Sequence, residues 1–287
     1  MTIRQALREF LQEKILENKR PATVAWYERT VSYLLRDMLD QEVESLTRQK
    51  VVEVLSRDVA PSTLANYDRA LRGFVNWLLA VDYLRVNPFK GRKRPKEEWR
   101  LKQVLSAEEI KALFKAASRD TRFRYRNLSI LALALGSGLR ASEICRLQLG
   151  DVNWDEMTVT VAGKTGAGVV PLTRETLRYL RLYVERERKT TTPYLFAHRN
   201  RPLTPQSLST WIRRQAKAAG IHRPIGMHLL RHTFATHYLN SGGDPYTLQR
   251  ILRHKSPAMT SRYLHFITDD LRRRLAPIDL VALARMG

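Results

Sequence analysis

The stretch GRKRPKEEWR, Gly91 to Arg100, constrains the fold most, because it interrupts the apolar pattern of the chain. Glycine, proline and clustered charge without apolar periodicity cannot bury a face, so the stretch reads as an interdomain linker. Asn87-Pro88 ends the helix before it. The 287 residues therefore divide into 1–90, a linker at 91–104 and 105–287, which gives each half room for its own core.

Residues 1–90 show only helical periodicity. Thr2 can cap a helix with Ile3, Leu7, Phe10, Leu11 and Ile15 on one side. A second helix starts after Pro21, with Val24, Tyr27, Val31, Leu34, Leu35 and Met38 on its buried side. Thr47 can cap a third through Val51, Val54 and Leu55. Pro61 opens a fourth with Leu64, Tyr67, Leu71, Phe74, Val75 and Leu78. The expectation is an all-α domain of four helices or slightly more. Its exposed Lys and Arg residues read singly as solvated charges, and collectively as candidates to meet phosphate.

Residues 105–287 are mixed. Ser106 and Glu109 form a capping box, and an apolar helix near Tyr125–Leu135 is suited to the middle of a core. It stops at Gly136-Ser137-Gly138, and Arg140 stands at the start of a further helix, ASEICRLQL. Met157 to Ala162 alternates like a strand, and Val169 to Leu172 returns, with Gly163 to Gly168 as the turn. A helix near Thr173–Arg188 follows, then Tyr194-Leu195-Phe196 as a short strand, then a helix capped by Thr204 with Leu208, Trp211 and Ile212. The fold class expected for the chain is mainly α with a small antiparallel sheet (α+β).

Composition narrows the partner. Fifty Lys and Arg against 28 Asp and Glu give a formal charge of +22, so a polyanion is the favoured partner. The longest purely apolar run, Ile130 to Leu135, is far too short to cross a bilayer. The N-terminus carries neither a signal-peptide h-region nor a transit-peptide composition, and the lone Cys145 makes no internal disulfide or Cys-based zinc site. A cytosolic protein that binds nucleic acid rather than membrane is expected. The linker residues Arg92, Lys93, Arg94, Lys96 and Arg100 then suit a strap over a DNA backbone. A localisation signal or a solvated tether would carry the same composition.

The chemistry concentrates between His228 and His265, HLLRHTFATHYLNSGGDPYTLQRILRHKSPAMTSRYLH. His228 and Arg231 share a helix face, His254 follows a Gly-Gly break, and Tyr263 comes soon after. Such groups can hold and attack a phosphodiester. Arg140 gains nothing from the macrodipole at a helix start, which hints at an anion; an ion pair with Glu143 explains it equally well. Lys164 sits at a hairpin tip, where most lysines are solvated. A phosphate-binding Gly-rich loop is excluded there, since position 158 is Thr and a strand follows. His228 and His232 have zinc-helix spacing, yet Leu229 replaces the required Glu, and no magnesium constellation stands out. His232 and His237 read as ordinary core or surface histidines.

In order and spacing, SGLRASEI (Ser137 to Ile144), HLLRHTFATH, LRHKS and SRYLH resemble the arginine, His-x-x-Arg, histidine and tyrosine motifs of the tyrosine recombinase, or phage integrase, family. The resemblance covers the chain and is most similar to the compact Xer-type members. It implies a helical, SAM-like core-binding domain, a basic linker and a catalytic domain whose tail begins near residue 266. It further implies that Tyr263 is the nucleophile and that Arg140 and Arg231 clamp the phosphate. Lys164 would be the general acid, His228 would assist proton transfer and His254 would hydrogen-bond the phosphate. Glu143 would orient the first arginine. No cofactor is implied, neither ATP nor metal. The implied partners are double-stranded DNA, other protomers in a synaptic tetramer, and a partner recombinase or activator. The tail would dock on its own domain or, as the resemblance implies, on a neighbouring protomer. One departure is Arg253, where the family usually has glycine.

Overall fold

The computed structural model describes residues 1–95, 103–163 and 166–253. The chain forms two compact units, Met1–Leu101 and Lys102–Gly287.

The first unit is built from α1 (Ile3–Leu16), α2 (Pro21–Leu34), α3 (Arg48–Leu55) and α4 (Pro61–Ala80), with a 3-10 turn at Val43–Ser45. Its helix starts follow local chemistry. The Thr2 hydroxyl accepts from the Gln5 amide and the Gln5 side chain accepts from the Thr2 amide, so two otherwise orphaned N–H groups are satisfied. Thr47 caps α3, and Pro21 and Pro61 occupy first turns, where a missing N–H costs nothing. Phe10, Phe74 and Trp77 meet at the centre, with ring centroids 5.5 to 6.2 Å apart.

Two expectations shift. Ile15 is 61% exposed although its spacing matches the buried side, because the buried set of α1 ends at Phe10. The second helix stops at Leu34. Leu35 and Met38 are still buried, but they reach the core through the following turns.

The beginning of the basic linker is fastened to this unit. Asp68 is buried, accepts from Arg72 Nε at 2.7 Å and lies 3.7 Å from Arg92 Nε. Arg72 also donates to the Arg92 carbonyl, and Arg48 donates to the Lys90 carbonyl. Arg92 is thus an anchor, while Lys93 and Arg94 are exposed. Lys96 and Arg100 lie outside the described residues.

The second unit is arranged around α6 (Arg124–Gly136), whose residues Asn127 to Ala134 are all buried. A helix apolar on every side has to sit inside its domain. It packs against α5 (Ala107–Ser118), α8 (Arg174–Arg186) and α10 (Met227–Asn240). The Ser106–Glu109 capping box opens α5 as expected. The main sheet has the order β1 (Val152–Asn153), β2 (Thr158–Gly163), β3 (Gly166–Pro171), all antiparallel. Val152, Val159, Val161 and Val170 of this sheet are buried in the core.

The ladder continues to Gly163 opposite Gly166, so the turn is shorter than the glycine pattern suggested. Lys164 and Thr165 between them lie outside the described residues. Helix α7 (Ala141–Arg146) is also shorter than expected: Leu147 leaves helical geometry, and its carbonyl accepts from the Leu195 amide at 2.7 Å. Of the strand expected at Tyr194-Leu195-Phe196, only Tyr194 forms a bridge, to Gln148. Pairing instead occurs between β4 (Ala197–His198) and β5 (Arg201–Pro202). Thr204 caps α9 (Pro205–Ala218), and α11 (Pro245–Leu252) follows the Gly242-Gly243 turn. Among the described residues, no helix is long and apolar enough to cross a membrane.

Phe74 is fully buried, so Phe74→Ala should destabilise the helical unit by about 3–5 kcal/mol. Urea unfolding followed by fluorescence should show a lower midpoint with an unchanged slope if the loss is one of packing alone.

Candidate active site

The site begins where α6 ends. Gly138 has φ +63°, a left-handed conformation that costs a non-glycine residue energy. A Cβ there would lie 2.5 Å from Phe234 Cδ1 and 2.7 Å from Leu252 Cδ2, so space also demands glycine. The turn delivers Arg140 to the cap position of α7. Three residues on, Glu143 is only 2% exposed and folds back on that cap. Its Oε2 accepts from the Arg140 amide at 2.7 Å and its Oε1 from Arg140 Nη1 at 2.8 Å. The ion pair weighed from sequence therefore exists. It does not exhaust Arg140, whose side chain remains 24% exposed.

Arg231 enters from α10 and is buried. Nη1 donates to the Gly138 carbonyl and Nη2 to the Leu252 carbonyl, each at 2.6 Å, and Nη1 lies 4.0 Å from Glu143 Oε2. The carbonyls fix the guanidinium plane from two sides, as a forked donor permits. One acceptor, Gly138, is 93 residues away in sequence. The turn that positions Arg140 thus also positions Arg231.

Arg253 supplies a third guanidinium. It ends α11 with φ +52° and ψ +51°, a left-handed cap that usually belongs to glycine. Its Nη2 lies 2.6 Å from Glu143 Oε2, and its side chain is 10% exposed. The stem packs on β3, where a Cβ on Gly168 would come within 2.7 Å of Arg253 Cδ. One carboxylate is thus shared by three guanidiniums, and the cluster is cationic.

His228 lies exposed in the first turn of α10, on the helix that carries Arg231. His237 is an ordinary satisfied histidine, its Nε2 donating to the Leu105 carbonyl at 2.9 Å. His232 is half-buried. Lys164, His254 and Tyr263 lie outside the described residues. The structure therefore brings together Arg140, Arg231 and Glu143, and it adds Arg253. Sequence reasoning marked Arg253 as a departure at a turn but did not see its reach to Glu143. The Gly138 and Leu252 carbonyls were invisible to it, because backbone acceptors leave no residue-type signal.

Burial pulls the Glu143 carboxyl upward. The Arg140 amide, the Arg253 guanidinium and the Arg140 guanidinium outweigh that and hold it below the usual glutamate range. The buried Cys145 thiol is pushed up to about 11, which suits packing rather than reactivity. Among the described residues, no cluster of His, Cys, Asp and Glu could hold a metal ion.

Gly138→Ala should cost about 2–4 kcal/mol, from left-handed strain plus overpacking against Phe234 and Leu252. Thermal unfolding would check this, and an unchanged midpoint would contradict the geometry. For Glu143, the lowered folded-state pKa means that the native chain binds fewer protons than the unfolded one. Its stabilising contribution is present above the ordinary glutamate pKa and is lost as pH falls through the lower folded value. Glu143→Gln should remove that part of the acid-dependent loss, as read by urea unfolding across the acidic range.

Residues 103–268 match the phage integrase family. The chain is 30% identical over 282 residues to tyrosine recombinase XerC of Bacillus pumilus, covering 92% of each. It is 29% identical over 264 residues to tyrosine recombinase XerD of Staphylococcus haemolyticus, covering 87% of this chain and 90% of that one. Among solved structures, the Tn1549 transposon integrase in complex with a circular-intermediate DNA aligns with a TM-score of 0.77 at 20% identity, over 92% of this chain and 95% of that one. XerA recombinase aligns with a TM-score of 0.54 at 27% identity, over 96% of this chain and 98% of that one. A lambda integrase dimer bound to a core site aligns with a TM-score of 0.77 at 20% identity, over 92% of this chain and 95% of that one. With a family match over more than half its length and relatives aligned nearly end to end, this chain belongs to the phage integrase family of tyrosine recombinases.

Proposed function

We propose that this protein is a site-specific DNA recombinase that cleaves and rejoins strands through a 3′-phosphotyrosine intermediate. The observation that carries the reading is the shared clamp on Arg140 and Arg231. Two motif arginines from distant parts of the chain meet at one buried carboxylate, and their contacts hold both guanidiniums in fixed positions. Preorganised cations of this kind stabilise charge that builds up on non-bridging phosphate oxygens.

In this reading the Tyr263 phenolic oxygen attacks the scissile phosphorus while His228 assists removal of its proton. The bond from phosphorus to the 5′-oxygen breaks, and Lys164 gives that oxygen a proton. Arg140 and Arg231 hold the non-bridging oxygens, His254 adds a hydrogen bond, and Glu143 orients Arg140. The products are a 3′-phosphotyrosine and a free 5′-hydroxyl. A 5′-hydroxyl from another strand then reverses the attack. The phosphoester bond energy is retained throughout, so no ATP is required. The assignments of Lys164, His254 and Tyr263 rest on motif order and spacing.

The relatives support double-stranded DNA and self-association as partners. The lambda integrase was solved as a dimer on a core site, and XerH recombinase was solved bound to its palindromic difH substrate. For this chain the helical unit and the basic linker would grip the duplex, and a synaptic tetramer would couple active sites through the tail from about residue 266. Dimer resolution of chromosomes or plasmids, and integration or excision of a mobile element, use this same chemistry. A partner recombinase or activator fits either role.

The test is a nicked duplex bearing a core site that the protein selects from a randomised DNA pool, incubated in EDTA. Wild type should form a covalent complex through the 3′-phosphate, and Tyr263→Phe should form none. A complex that persists in Tyr263→Phe would refute the nucleophile. Arg231→Ala should slow cleavage by about 10²-fold or more. The logarithm of affinity should fall against log salt with a slope near −0.9 per phosphate contacted.

A further inference from the structure

We propose that Arg253 is a positioning residue of this active site, holding Oε2 of Glu143 so that Oε1 can orient the Arg140 guanidinium. The inference rests on the recombinase reading above and adds a residue to it. Three observations carry it. First, Arg253 adopts φ +52° and ψ +51°, a conformation that L side chains avoid, so its side chain is kept against a backbone preference for glycine. Second, the guanidinium that results is not a solvated surface charge. It is 10% exposed, with Nη2 in an ion pair 2.6 Å from Glu143 Oε2, and Nε and Nη2 are buried without a geometrically aligned hydrogen bond. Third, its stem is packed on β3, where a Cβ on Gly168 would come within 2.7 Å of Arg253 Cδ.

The division of labour follows from which oxygen meets which donor. Arg140 Nη1 is bound by Oε1, while Oε2 takes the Arg140 amide and the Arg253 Nη2 cation together. The Arg253 cation adds a charged hold on Oε2 from a different helix, which restricts rotation of the carboxylate about its terminal torsion and presents Arg140 in one orientation. Without Arg253, Oε2 would keep only the Arg140 amide at 2.7 Å and the more distant Arg231 at 4.0 Å. The buried orientation of Nε and Nη2 favours action through Glu143 over direct contact with DNA. Positioning errors of this kind cost rate without abolishing binding.

The charged groups that face Glu143 among the described residues are Arg140 at the start of α7, Arg231 on α10 and Arg253 at the end of α11. Removing Arg253 takes away one of the cations that hold the Glu143 carboxyl down. Loss of this partner should therefore move an acid limb of cleavage to higher pH.

The experiment compares wild type, Arg253→Gly, Arg253→Lys, Glu143→Gln and the Arg253→Gly/Glu143→Gln double variant on the selected nicked duplex. Arg253→Gly relieves the left-handed strain, so the variant should fold, which thermal unfolding checks. Its cleavage rate should fall about ten- to a hundred-fold with DNA affinity little changed, and the acid limb should move upward in pH. Arg253→Lys should recover part of the rate. The double variant should be no slower than Glu143→Gln, because the two residues act as one unit. In parallel, carbon-13 NMR should place the Glu143 carboxyl titration higher in Arg253→Gly than in wild type.

An unchanged rate and titration in Arg253→Gly would overturn the assignment. A double variant slower than Glu143→Gln alone would show that Arg253 acts outside Glu143, and would overturn it too. A wild type that forms no covalent complex defeats the recombinase reading. In that case the Glu143 titration still decides whether Arg253 holds the carboxylate.

Discussion

The buried carboxylate of Glu143 is the interaction on which the architecture of the candidate site depends. An isolated carboxylate at 2% exposure would protonate rather than stay charged. Here the cost is offset by an amide and by guanidiniums at 2.6 to 2.8 Å, so the charged form persists. In return, the carboxylate lets cations gather that would otherwise repel one another in a partly dry site. A single anion thus organises a cationic cluster whose surplus charge suits a phosphodiester.

The surrounding elements serve that cluster. Helix α6 is buried on all sides from Asn127 to Ala134, so its end is a fixed point. The left-handed Gly138 turn then aims Arg140 outward and offers a carbonyl back to Arg231. The end of α11 offers the second carbonyl, Leu252, and immediately afterwards the strained Arg253. Two helix ends and one turn therefore meet where backbone carbonyls can orient guanidiniums. Such preorganisation requires a rigid scaffold and leaves little reorganisation for the chemical step.

The helical unit shows a related use of a buried acid. Asp68 lies under Arg72 and Arg92, and carbonyls of the early linker are held by Arg48 and Arg72. The linker composition suggested five cations available to a polyanion, but Arg92 is committed to its own unit. Composition counts charges; it does not say which ones are already paired.

Some features were legible in the sequence because their causes are local. Caps at Thr2, Thr47, Ser106 and Thr204 start helices through hydrogen bonds within three residues, and all four are in place. The apolar character of α6 and the alternation in β2 likewise fix burial through period alone. The family motifs named Arg140 and Arg231, and the structure places both beside Glu143. What the sequence could not supply is everything made by distant chain segments or by backbone atoms. The continuation of the β2–β3 ladder to Gly163, the early end of α7 at a contact with Leu195 and the carbonyl clamp on Arg231 are of this kind. Arg253 shows the division most clearly. By itself the sequence marked a residue that its turn should not favour, while only the tertiary structure supplied the buried carboxylate within reach that gives the strained position a role.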